Sequence, residues 1–161
     1  MLTTKEITSL FGKNIENEEI KTLLSRIPDH RIEKQSDGSQ YVVAKLSGID
    51  LLFSEPEDSE NRTSPKTRLL SAAFLYNEGT DKHQRYEGEI PFGFAFADTR
   101  SQLLEKRTPD RTWVIGEGAV SVDHPNPDHD RWTTDEFQLF ANYKADSAIS
   151  NFTLQPIRRQ R

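Results

Sequence analysis

The sequence predicts an α+β protein built from two pseudo-repeated units, each an amphipathic helix packed on a mainly antiparallel sheet. Three observations lead there. Capping residues stand just ahead of apolar residues at helical spacing in several places. Short runs of β-branched and aromatic residues, some alternating in polarity, fill much of the remainder. The chain also matches itself at a shift of 81 residues: Phe11 falls on Phe92, Gly12 on Gly93, Leu23 on Leu104, Arg26 on Arg107, Pro28 on Pro109 and Asp29 on Asp110. A repeat that cannot bury its own sheet face implies that the halves pack together. Residues 1–79 and 86–161 are therefore expected as N-terminal and C-terminal halves of one globular unit.

The elements follow in order. Thr3-Thr4-Lys5-Glu6 has capping-box spacing, with Ile7, Leu10 and Phe11 behind it and Gly12 placed to end the helix. Asn17 caps a second helix with Ile20, Leu23, Leu24 and Ile27 on one face, and Pro28 stops it. Residues 41–45, 49–53 and 69–76 read as strands. Between the last two lies a charged segment, 55–67, with Pro56 and Pro65, expected as an exposed loop. Tyr86 to Leu104 concentrates a Tyr, a Pro, two Gly and three Phe, then a capping signal at Thr99 with Gln102 and the pair Leu103-Leu104. Alternation of Phe92, Phe94 and Phe96 with small residues predicts an extended segment with one buried face. Residues 112–115, 137–143 and 149–157 read as further strands, and 116–131 as a long polar loop.

Composition narrows the function. The chain has 161 residues, a formal charge of −5, 34% hydrophobic residues, 29% charged residues and no cysteine. Disulfides, thiolate chemistry and Cys-ligated zinc are excluded. Net negative charge works against non-specific nucleic-acid binding. No apolar run reaches the length of a membrane span, and the first 20 residues have no apolar signal region, so a cytoplasmic protein with no membrane partner is expected.

Candidate chemistry is sparse. His124, Asp128, His129 and Asp130 form one ligand-rich loop, but HExxH and EF-hand spacings are absent, and no metal or other cofactor is expected. No histidine sits in a nucleophile motif, so no catalytic residue is assigned. The acidic run Ser54 to Glu60 offers a surface that could occupy the basic groove of a partner. Trp113, Trp132 and Tyr86 are possible anchors, with core packing as their alternative role.

The pattern Tyr86-x-Gly-x-Ile-Pro-Phe-Gly-Phe-x-Phe-x-Asp-Thr-Arg100, followed by Leu103-Leu104, Pro109 and Trp132, resembles small bacterial immunity proteins of polymorphic or contact-dependent toxin systems. The resemblance spans about residues 70–157, and it departs at Lys106 to Pro109, where the family's Gly is missing. It implies a non-enzymatic binding protein that neutralises a toxin or effector domain. A secretion-associated chaperone or adaptor is the alternative, and a metal-dependent enzyme a remote one. The expected partner-binding residues are Glu55, Glu57, Asp58, Glu60, Asp123, Asp128, Asp130 and Trp132.

Overall fold

The computed structural model describes residues 1–55 and 68–157. Its elements run α1 (Thr4–Thr8), α2 (Glu18–Ser25), β1 (Arg31–Lys34), β2 (Gln40–Ala44), β3 (Ile49–Ser54), β4 (Leu69–Tyr76), α3 (Arg100–Lys106), β5 (Arg111–Val114), β6 (Gly118–Val120), β7 (His129–Thr133), β8 (Gln138–Tyr143) and β9 (Ile149–Gln155). Two 3-10 turns, Thr80–Lys82 and Pro91–Gly93, lie between β4 and α3. All nine strands join one antiparallel sheet in the order β1-β2-β3-β4-β9-β8-β7-β5-β6.

This corrects the expected fold class. The chain does not form two helix-plus-sheet units, because β4 pairs directly with β9 and the sheet runs unbroken across both expected halves. The helices are minor: α1 has five residues, α2 eight and α3 seven. Their start signals are as expected. Thr3 and Thr99 each form a capping box, with Glu6 and Gln102, and Asn17 accepts from the Glu19 amide at 2.8 Å. Such caps contribute about 1 kcal/mol each, which marks where a helix begins without making it the dominant element. Packing along the strands decides the architecture.

Strand alternation sorts the side chains. On one face, Val42, Leu51, Ala73, Leu154, Leu139 and Trp132 lie in one cross-strand row and are buried. Apolar residues of all three helices join the same cluster, among them Ile7, Ile20, Leu23 and Leu103. Phe94 and Phe96 seal it. Phe94 meets Trp132 edge-on at 4.9 Å and stacks on Phe152 at 6.1 Å, while Phe96 lies 5.3 Å from Phe152.

The aromatic segment is not the regular extended run that its alternation suggests. Phe92 has φ 66° inside a 3-10 turn, and Gly93 has φ 71°. The turn swings Phe92 out to a half-buried position, stacked on Phe137 at 6.0 Å with the Arg107 guanidinium 4.3 Å from its ring. Phe94 and Phe96 alone then alternate into the core.

Candidate functional site

The opposite face of the sheet carries the chemistry. Register puts Phe74, Thr153, Phe140, Arg131 and Arg111 in one cross-strand row of this face, and Tyr76, Asn151, Asn142, His129 and Trp113 in the next. Tyr41 and Phe74 pair at 6.3 Å on the β2–β4 side. On the β5–β8 side, Trp113 and His129 lie nearly parallel at 6.1 Å, Phe140 meets His129 edge-on at 5.4 Å, and the Arg111 guanidinium sits 4.8 Å from the Trp113 ring. An amide and hydroxyl band separates the two aromatic groups: Asn142 and Asn151 both donate to the Thr153 hydroxyl, at 3.1 and 3.0 Å. Tyr41, Phe74, Trp113, His129, Phe140, Arg111 and Arg131 are all half-buried. Among the described residues no helix backs this face, since the helices' buried apolar residues serve the other side.

One end of the face is closed. The turn at 80–83 folds His83 over it, stacked on Tyr76 at 3.9 Å, with Nε2 2.8 Å from the Asp50 carboxylate and Nδ1 2.8 Å from the Asp81 carbonyl. The Tyr76 hydroxyl donates to Asp50 at 3.3 Å. Burial first, then the Asp50 charge, raises the Tyr76 phenol far above its usual range, so it stays a donor. His83 and Asp50 are both buried, and this group anchors the turn to the sheet.

Electrostatics on the β5–β8 side are uneven. Arg131 pairs with Asp110 at 2.7 Å. Arg111 lies directly opposite Arg131 in the ladder; burial, then the Arg131 charge, lowers its pKa. Burial, then Arg111, likewise holds His129 below its ordinary value.

The expected site residues do not assemble into one surface. Glu55 is half-buried just past β3, whereas Glu57, Asp58 and Glu60 lie outside the described residues. Asp123 is exposed in the β6–β7 connection. Asp128 holds that connection in place, its carboxylate accepting the Ile115 amide at 2.6 Å. Two of the eight are core groups rather than contact groups. Trp132 is buried with its indole N–H on the Arg107 carbonyl at 3.0 Å.

Asp130 has no exposed surface and accepts from Arg100 Nε at 2.7 Å, Thr112 Oγ1 at 2.6 Å and the Tyr143 hydroxyl at 2.6 Å. Burial works against the Arg100 charge, but Asp130 outweighs it and raises the guanidinium pKa. Asp130 thus ties the start of α3 to β5, β7 and β8. His129 and Asp130, adjacent in β7, point to opposite faces and cannot share a metal. Among the described residues no three His, Asp or Glu side chains converge on a metal site. Of the possible anchors, Tyr86 is buried and only Trp113 reaches the open face.

No protein-family model matches the chain, and no curated protein sequence does. Solved structures resemble it. An extracellular protein containing a SCP domain from Bacillus anthracis str. Ames superposes with TM-score 0.55 at 11% identity, over 93% of this chain and 45% of that one. A cysteine-rich secretory protein from Staphylococcus aureus subsp. aureus Mu50 gives TM-score 0.47 at 10% identity, over 92% of this chain and 44% of that one. The chain therefore spans less than half the length of either. At such identity the first likeness concerns fold alone. It runs across both expected halves, in keeping with one continuous sheet.

Proposed function

We propose that this chain is a non-enzymatic binding protein that docks a protein partner on the open face of its sheet, and that the partner is a cognate bacterial toxin domain, which it neutralises. One observation carries the docking surface: half-buried Trp, Tyr, Phe and Arg side chains occupy a sheet face that no helix backs among the described residues, while the other face holds the apolar cluster. Trp, Tyr and Arg are the side chains that dominate binding energy at interfaces. The toxin as partner rests on the resemblance of about residues 70–157, with its pattern starting at Tyr86, to immunity proteins. Cytoplasmic placement belongs to the same proposal. The Bacillus anthracis neighbour is described as extracellular, so cell fractionation is the direct check on that part.

The test is a binding measurement between this chain and the polypeptide encoded beside it. A one-to-one complex that abolishes toxicity is expected. Phe74→Ala and Phe140→Ala should each weaken it by about 30-fold, the 2 kcal/mol of an interface hot spot. Leu46→Ala, at an exposed position in the β2–β3 turn, should bind like the parent. Full affinity in both Phe variants would remove the open face as the docking surface.

A further inference from the structure

We infer that the β5–β7 end of the open face is an anchor site for a single carboxylate side chain, Glu or Asp, presented by a docked protein; this rests on the open face being the docking surface. The argument begins with an imbalance. Arg111 and Arg131 are direct cross-strand partners. Like charges in that relation repel. Arg131 is relieved by Asp110, to which its Nε donates at 2.7 Å. Arg111 has no ion pair among the described residues, and although the Asp110 charge is felt there, Asp110 is engaged by Arg131. The Arg111 Nε is buried without a hydrogen-bond partner, so the Nη end of the fork is what a ligand would meet.

The Arg111 guanidinium is nonetheless held in place, 4.8 Å from the Trp113 ring. A fork already fixed against an aromatic ring loses little freedom when it takes up a carboxylate. Trp113, His129 and Phe140 extend the wall on which the apolar stem of such a side chain would lie. Burial holds the His129 pKa below its ordinary value, so at pH 7 the ring is neutral and adds aromatic surface, not charge. One unpaired fork suits one carboxylate. A nucleic acid brings many phosphates, and the net charge of −5 repels it.

The probes are a capped pentapeptide with two glutamates flanking a tyrosine, and the same peptide with glutamines. Each is titrated into the nitrogen-15-labelled protein, and the Arg111 Nε–H and Trp113 indole resonances are followed. The glutamate peptide should shift both and bind at least about tenfold more tightly than the glutamine peptide. Salt at about 0.5 M should weaken it, and Arg111→Gln should remove the difference between the peptides. Equal binding of both peptides on the open face would overturn the carboxylate anchor and leave the docking face standing. No shift on this face with either peptide would overturn both. Shifts of the same resonances with protein concentration alone would assign the face to a second copy of the chain, and would overturn the anchor as well. The comparison of peptides on the unaltered protein decides the matter even if Arg111→Gln fails to fold.

Discussion

Asp130→Ala separates a structural carboxylate from a contact residue more sharply than any other single change. The carboxylate accepts from Arg100 Nε and Nη2 at 2.7 and 3.1 Å, from Thr112 at 2.6 Å and from Tyr143 at 2.6 Å. Arg100 also reaches the carbonyls of His124 and Val122, at 3.0 and 2.8 Å. Removing the carboxylate leaves a largely buried guanidinium with carbonyl partners only, and strands two hydroxyls. Breaking a buried pair from one side costs about 3–5 kcal/mol. For a domain of this length each kcal/mol lowers the melting temperature by about 2–4 °C, so the drop should be about 6–20 °C. Urea unfolding followed by tryptophan fluorescence gives the same quantity at 25 °C. Arg100→Ala and the double variant complete a cycle, whose coupling should lie within about 1–3 kcal/mol. An Asp130→Ala protein within about 1 kcal/mol of the parent would refute the tie and return Asp130 to the surface.

Three further outcomes are expected. Phe94→Ala removes a ring that touches Trp132, Phe152 and Phe92, and should cost about 3–5 kcal/mol in denaturant melts; a loss under about 1 kcal/mol would mean that the aromatic turn does not seal the core. Gly48→Ala should cost about 2 kcal/mol or more, because Gly48 has φ +70° and an added Cβ would sit 2.5 Å from the Tyr86 nitrogen and even nearer the Gln84 carbonyl; parent-like melting would refute the close approach. His129 has a lowered folded pKa, so between that value and the ordinary value of about 6.5 the unfolded chain binds more protons and stability falls as pH drops. Proton NMR should put its midpoint below about 6.5 and Arg111→Gln should move it up; a midpoint at or above the ordinary value would contradict the burial of the ring.

Local signals were readable in the sequence wherever a few neighbouring residues decide them. Thr3, Asn17 and Thr99 mark helix starts because the capping oxygen and the amide it serves lie within three residues. Strands β3, β4, β8 and β9 announce themselves through apolar residues that they bury. β1 does not, because Arg31-Ile-Glu-Lys34 is an exposed edge with no apolar alternation. β6 and the start of β7 fall in a segment read as a polar loop, since Asp130 and His129 look alike to composition. Which of them is buried depends on pairing: Asp130 shares a row with Ala141, and His129 with Asn142. The open face was hidden for the same reason. Phe74, Phe140 and Arg111 lie far apart in sequence, and only register brings them together.

Face docking is favoured over strand addition by the shape of the sheet's borders. β1 is four residues long, wholly exposed and carries Arg31, Glu33 and Lys34, while β6 has three residues and begins with Gly118. Short, charged or Gly-containing edges resist strand addition, and so few residues offer a partner only a handful of backbone hydrogen bonds. The face is far larger. Nine strands at about 4.8 Å spacing span roughly 38 Å, and strands of three to eight residues average about 17 Å. The product is at most about 650 Å² in projection, and the end closed by His83 takes part of it; it is still of the order of the roughly 800 Å² that each partner gives up in a standard protein interface. Its aromatic groups stand on either side of an amide and hydroxyl band, so a partner laid across it meets apolar anchors at both sides and hydrogen-bonding groups between them. An edge-on partner would reach neither aromatic group, because Tyr41 is one strand in from β1, and Trp113 one strand in from β6.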